Sequence, residues 1–280
     1  MSEAKRTDQG APGFSVEGVS FSYGQGDVLR DIRLEVREGE FLCLLGPSGS
    51  GKTTLQRLLA GLEKPSIGRI TWKGEAIEGT SIERGMVFQD YSLYPWMSLA
   101  DNIGLALEKS DPSLSKAERR ERAAEYLAAV GLPGTAKKYP FELSGGMQQR
   151  AAIARTLALN SSALLLDEPF GALDPVNRAK LQDLLTEIWS DASPRRTVVF
   201  VTHDVEEALY LGDRVVVLGT SPGRVIGEVV VPFPRPRQRR SLFASQEFRR
   251  LSDTISDHYH SDVLERMNDT WTMVGQGEGI

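Results

Sequence analysis

Nine consecutive residues, Gly46, Pro47, Ser48, Gly49, Ser50, Gly51, Lys52, Thr53 and Thr54, stand between the apolar run Phe41 to Leu45 and a helix-forming stretch from Leu55 to Ala60. A segment of this kind admits one local geometry. A buried strand delivers the chain, the glycines turn successive backbone N–H groups toward a single anion, and a helix begins with its positive dipole end at the same point. The spacing G-x-x-x-x-G-K-S/T then assigns roles: Lys52 reaches the β and γ phosphates of a nucleotide, and the Thr53 hydroxyl ligates Mg²⁺. A strand and helix joined this way commit the chain to an α/β sheet with its ligand at the carboxyl ends of the strands.

The rest of the chain is consistent with that start. Phe14 to Ser20 and Ile32 to Val36 alternate apolar and polar residues, as half-buried strands of an antiparallel layer do. Ile67 to Trp72 and Gly85 to Phe88 extend that layer and return the chain to the core. Ser98-Leu-Ala-Asp101 and Ser115-Lys-Ala-Glu118 have the spacing of helix capping boxes, and Gly131 is a stop for the second helix, so residues 91–159 read as a helical insertion. Ala163 to Leu166, Thr197 to Val201 and Arg214 to Leu218 are short branched apolar runs, the mark of strands buried on both faces of a parallel sheet. Three units follow: a mobile head at 1–13, a main domain at 14–220 and a C-terminal extension at 221–280.

Composition excludes several classes. A net charge of −5 offers no global pull toward nucleic acid. No window nears eighteen uninterrupted apolar residues, so the chain is not expected to span a membrane, and its head lacks a secretory signal. The single cysteine, Cys43, falls inside a buried strand and reads as a small hydrophobe. His258 and His260 form a His-Tyr-His pattern without other ligands at metal-like spacing.

Two acids, Asp167 and Glu168, leave the Ala163 to Leu166 strand; Asp167 is placed to hold Mg²⁺ and Glu168 to orient or activate water. His203 and Asp204 leave the next buried strand, where the histidine can meet a γ-phosphate, and Gln89 leaves an earlier one with an amide that suits both water and Mg²⁺. Leu143-Ser144-Gly145-Gly146 precedes a further helix and makes a second anion site in one chain.

With these motifs the sequence resembles the ATP-binding subunits of ABC transporters, whose signature is Leu-Ser-Gly-Gly-Gln; here Met147 replaces the glutamine. The resemblance runs from Phe14 to about Arg237. It implies a P-loop NTPase (RecA-like) α/β fold, a parallel-sheet core with an antiparallel β layer and an inserted helical subdomain. It implies that two copies pair head to tail, each ATP lying between one chain's glycine loop and the other's Ser144, Gly145 and Gly146. Tyr23 matches the aromatic that stacks on adenine, Gln89 the glutamine loop, Glu168 the catalytic carboxylate, Ala172-Leu-Asp174 the loop crossing the dimer, and His203 the switch histidine. The catalytic set is then Glu168, His203, Gln89 and Lys52, with Thr53, Gln89 and Asp167 at Mg²⁺.

The aromatic segment Tyr91 to Ser98, with Trp96 as anchor, reads as an exposed binding surface, and the resemblance implies that it meets an integral membrane permease. With Ser221 to Val225 and Pro232 to Arg237 it resembles the branch that imports nitrate, sulfonates and taurine, which works with an external solute-binding protein. The subunit would sit peripherally on the cytoplasmic face of the inner membrane. The basic run Arg235 to Arg240 reads as a solvated linker, with contact to anionic lipid or permease as the alternative. The rival readings are a soluble ABC-type ATPase acting on nucleic acid or ribosomes and an exporter subunit.

Overall fold

The computed structural model describes residues 12–275 except 25, 172 and 221, and for 265–275 the backbone alone. The elements run β1 (Pro12–Ser22), β2 (Asp27–Arg37), β3 (Phe41–Leu45), α1 (Lys52–Ala60), β4 (Ile67–Trp72), β5 (Glu75–Ala76), β6 (Arg84–Val87), α2 (Leu99–Ser110), α3 (Lys116–Ala129), a 3₁₀ turn (Pro140–Glu142) and α4 (Gly145–Ala158). They continue with β7 (Ala163–Asp167), α5 (Pro175–Asp191), β8 (Thr197–Thr202), α6 (Val205–Leu211), β9 (Arg214–Leu218), β10 (Val225–Val230), α7 (Arg239–Ala244) and α8 (Gln246–Gly275). Most of the expected head lies outside the described residues, and its last two, Pro12 and Gly13, already belong to β1.

Two sheets carry the fold. One is antiparallel in the order β2-β1-β4-β5; the other has the order β10-β9-β3-β8-β7-β6. In the second, β9, β3, β8, β7 and β6 are parallel and β10 closes one edge antiparallel. Every residue of β3, β7 and β8 is buried, which is why these strands are apolar without alternation. Their side chains still divide between two cores: Phe41, Cys43 and Leu45 face α2–α6 and α8, while Leu42 and Leu44 face α1 and the antiparallel sheet. Cys43 is free and fully buried, as its sequence context requires.

The helical region is set by its caps. Ser115 Oγ accepts from the Glu118 N–H at 3.3 Å and Glu118 Oε2 accepts from the Ser115 N–H at 2.8 Å, a complete capping box for α3. At α2 the box is half made: Ser98 Oγ accepts from the Asp101 N–H, but the Asp101 carboxylate accepts from the Ser98 hydroxyl. Gly131, at φ +72°, ends α3 in the left-handed conformation that glycine adopts without strain. Asn102, fully buried on α2, accepts from the Tyr94 N–H and donates to the carbonyls of Tyr94, Met97 and Ser98, so it fastens the aromatic segment to the helix.

The C-terminal region departs from expectation. Phe248, Leu251 and Ile255 of α8 enter the core at 4%, 7% and 0% exposure, so this part of the extension packs on the main body. The basic run is not a solvated linker. Arg237 is buried and donates to the carbonyls of Leu209 at 3.2 Å and of Tyr210 and Gly212 at 2.8 Å, closing the end of α6. Burial pushes its pKa down to about 10. Arg235 pairs with Asp213 and lies over the Trp189 ring at 4.5 Å; Arg239 pairs with Asp183 and lies over Tyr210 at 3.9 Å. The physical reason is that terminal helix carbonyls need donors, and a guanidinium brings several in one rigid fork. His258 serves packing: a Cβ at Gly227 of β10 would lie 2.5 Å from its ring.

Candidate nucleotide site

The glycine loop follows β3 and α1 begins at Lys52. Gly46 has no room for a side chain, since a Cβ there would lie 2.5 Å from Ser50 Oγ and 2.9 Å from the Leu218 carbonyl at the end of β9. Gly51 turns into the helix at φ +80°, against Leu29. Lys52 is almost wholly buried, and its ammonium donates to the carbonyls of Gly46 at 2.7 Å and Pro47 at 2.9 Å. The lysine is therefore held across the mouth of its own loop. Burial lowers its pKa, while the nearby carboxylates of Glu168 and Asp167 work in the opposite direction.

Strands β7 and β8 end beside it. The Thr53 hydroxyl donates to Asp167 Oδ1 at 3.1 Å. Asp167 is 2% exposed, and burial raises its carboxyl pKa although the Thr53 hydrogen bond lowers it. A buried carboxylate and a hydroxyl side by side are hard oxygen donors of the kind Mg²⁺ takes, and a dication would offset the cost of the buried charge. Next in the chain, Glu168 has φ +44°, a left-handed conformation that costs a non-glycine residue about 1–3 kcal/mol. Its N–H donates to the Val201 carbonyl, and its own carbonyl accepts from the Gly171 N–H and from Gln149 Nε2, all at 3.2 Å. Its carboxylate Oε2 stands 3.5 Å from His203 Nδ1, at the end of β8.

Lys52, Thr53, Asp167, Glu168 and His203 thus meet at one sheet edge. Gln89 lies in an exposed turn past β6, the strand beside β7, and no hydrogen bond among the described residues joins it to that group. Tyr23, 57% exposed, stands edge-on to Phe21 beyond β1. Ser144 caps α4, accepting from the Met147 N–H at 3.4 Å; Ser144 and Gly145 are exposed, and among the described residues no hydrogen bond links them to the glycine loop. Asp174 caps α5 through the N–H groups of Val176 and Asn177, and these bonds hold its carboxyl below its ordinary pKa. Its neighbour Ala172 lies outside the described residues. Gln149, which the motifs did not single out, touches the backbone of Glu168; only its side of α4 reveals it.

Beyond Gln89 the backbone is strained, with Tyr91 and Ser92 at φ +65° and +46°. Arg155 of α4 donates to the Ser92 carbonyl at 2.6 Å and lies over the Tyr94 ring. Beside this segment is a groove of about 660 Å³, lined by Leu62, Phe88, Tyr94, Leu105 and Leu159 among others. Trp96, 73% exposed, stands next to Tyr94 with ring centroids 5.5 Å apart.

A strand-loop-helix cradle with a buried acid on its threonine and a second acid facing a histidine defines a P-loop nucleoside triphosphatase. Residues 29–171 match the ABC transporter family, and the chain belongs to it, as an ATPase whose hydrolysis is coupled to transport. It is 42% identical to the nitrate import ATP-binding protein NrtD of Synechococcus elongatus, over 91% of this chain and 94% of that protein. The bicarbonate transport ATP-binding protein CmpD of the same species is also 42% identical, over 89% of this chain and 91% of that one. The aliphatic sulfonates import ATP-binding protein SsuB 2 of Burkholderia cenocepacia is 46% identical, over 83% of each. Among solved structures, the dimeric ATP-binding cassette MJ0796 in a post-hydrolysis state with ADP and Pi superposes with a TM-score of 0.71 at 32% identity, covering 79% of this chain and 100% of that one.

Proposed function

We propose that this chain is the ATP-hydrolysing subunit of an importer for a small solute such as nitrate, a sulfonate or taurine, seated on the cytoplasmic face of the membrane beneath a separate permease and fed by an external solute-binding protein. Its relatives act on nitrate, bicarbonate and sulfonates, so small anions are the common denominator while the individual solute is set by other subunits. No described helix is long and apolar enough to cross a membrane. The permease contact would fall on the groove beside Tyr94 and Trp96, where exposed apolar surface adjoins the Gln89 turn. The ATP-binding domain would span residues 14–220, with the helical subdomain at about 91–159 inserted in it.

The observation that carries the reading is the split of the site: a complete glycine loop with its acids, and a separate serine and glycine pair that opens α4 and, among the described residues, makes no hydrogen bond to that loop. A second copy, turned head to tail, would bring its Ser144, Gly145, Gly146 and Asp174 to this chain's ATP. Tyr23 would stack on the adenine, the backbone from Gly46 to Thr54 would cradle the phosphates, and Lys52 would leave its loop carbonyls for the β and γ phosphates. Thr53, Asp167 and Gln89 would hold Mg²⁺, which supplies positive charge for the leaving phosphates. Glu168 would orient the attacking water, and His203 would donate to the γ-phosphate. Positioning and charge do the chemistry.

Copurification from native membranes in mild detergent, with mass spectrometry of the partners, tests this. A multi-span permease is expected, and an adjacent binding protein should stimulate ATP turnover in its presence. Recovery with ribosomes or nucleic acid alone would overturn the transporter reading, and stimulation without a binding protein would favour export.

A further inference from the structure

One hydrogen bond crosses from the helical region to the reacting acid. Gln149 lies five positions after Ser144 on α4, so the helix that presents the signature also carries this side chain inward. It is 2% exposed, and its Nε2 donates at 3.2 Å to the carbonyl of Glu168. That peptide is the strained one, with Glu168 at φ +44°, and its other ties are backbone bonds to Val201 and Gly171. Gln149 Oε1 is buried and accepts no hydrogen bond among the described residues, so the side chain is placed by what it donates.

We propose that Gln149 is a positioning residue through which α4, whose first turn receives the partner copy's ATP, sets the aim of Glu168 in its own chain. The argument rests on the head-to-tail reading above. A left-handed backbone at a non-glycine residue persists only where its surroundings hold it. Among the described residues the Gln149 contact is the one side-chain hydrogen bond to the Glu168 carbonyl, and it comes from the element that a bound nucleotide on the other face would pull. A small rotation of α4 therefore shifts the Glu168 peptide, and with it the carboxylate that faces His203. The two ATP sites of a dimer are coupled by this bond, each site's occupancy preparing the water-orienting acid of the other.

Steady-state ATP hydrolysis by the full chain tests it, with Gln149→Met and Gln149→Glu beside the unsubstituted protein. Both variants remove the donor. Methionine also removes the unpaired buried acceptor, so its folding stability should hold, and glutamate preserves shape. We expect kcat to fall about 10- to 100-fold, the usual effect of losing a group that orients a reacting residue, with KM for ATP within about twofold. The Hill coefficient for ATP should fall toward one. Unchanged kcat in both variants, or a raised KM with kcat intact, overturns the role. Light scattering of Glu168→Gln protein with ATP and Mg²⁺, in which bound ATP is not turned over, reads the underlying assumption separately: absence of an ATP-driven dimer sinks the head-to-tail reading and the coupling with it, whatever kcat does.

Discussion

At the residue scale the proposed reaction divides the site into groups that would bind and groups that would react. Lys52 and Thr53 begin α1 at the loop, whereas the Glu168 carboxylate faces His203 at 3.5 Å. Glu168→Gln should therefore retain ATP binding while turnover drops about 10²- to 10⁴-fold, the span for general acid–base groups. Nucleotide binding by fluorescence and phosphate release measure the two halves, and near-normal phosphate release would remove Glu168 from its role. The eight positions of the glycine loop were legible in the sequence because they are contiguous and their chemistry is local. Gln149 was not, since a glutamine in a helix carries meaning only once the side it faces is known.

At the element scale the C-terminal end shows how a charge pattern misleads. Arg235, Arg237 and Arg239 alternate with Pro236 and Gln238 and read as solvated, yet the carbonyls ending α6 and the acids Asp213 and Asp183 receive them. Removing one buried donor leaves several carbonyls without a partner. Arg237→Met should lower the stability of the folded chain by roughly 2–4 kcal/mol, at about 1–3 kcal/mol for each orphaned buried group after partial relaxation. Urea unfolding measures it, and a midpoint within error of the unsubstituted protein would mean that the α6 end finds other donors. The capping serines Ser98 and Ser115 were readable for the opposite reason, because a cap is satisfied within three residues of itself.

At the scale of the whole molecule the glycine loop and the Ser144 turn stand apart, and in the proposed head-to-tail pair a second chain would unite them. Glu168→Gln protein with ATP and Mg²⁺ should double in mass by light scattering, and Ser144→Arg should abolish the doubling while leaving nucleotide binding at the glycine loop intact. A persistent monomer in the first case would refute the paired arrangement. What the sequence alone determined is what lies in short contiguous segments: the phosphate cradle, the strand-end acids, the helix caps and the apolar strands buried on both faces. Their geometry follows from neighbours a few residues apart, so local chemistry dictates it. What the tertiary structure decided is what depends on residues far apart in the chain: the order β10-β9-β3-β8-β7-β6 that gathers Lys52, Asp167, Glu168 and His203, the burial of Arg237 under α6, and the contact of Gln149 with Glu168. Those arise only when packing brings separate segments together, because the free energy that places them belongs to the whole core.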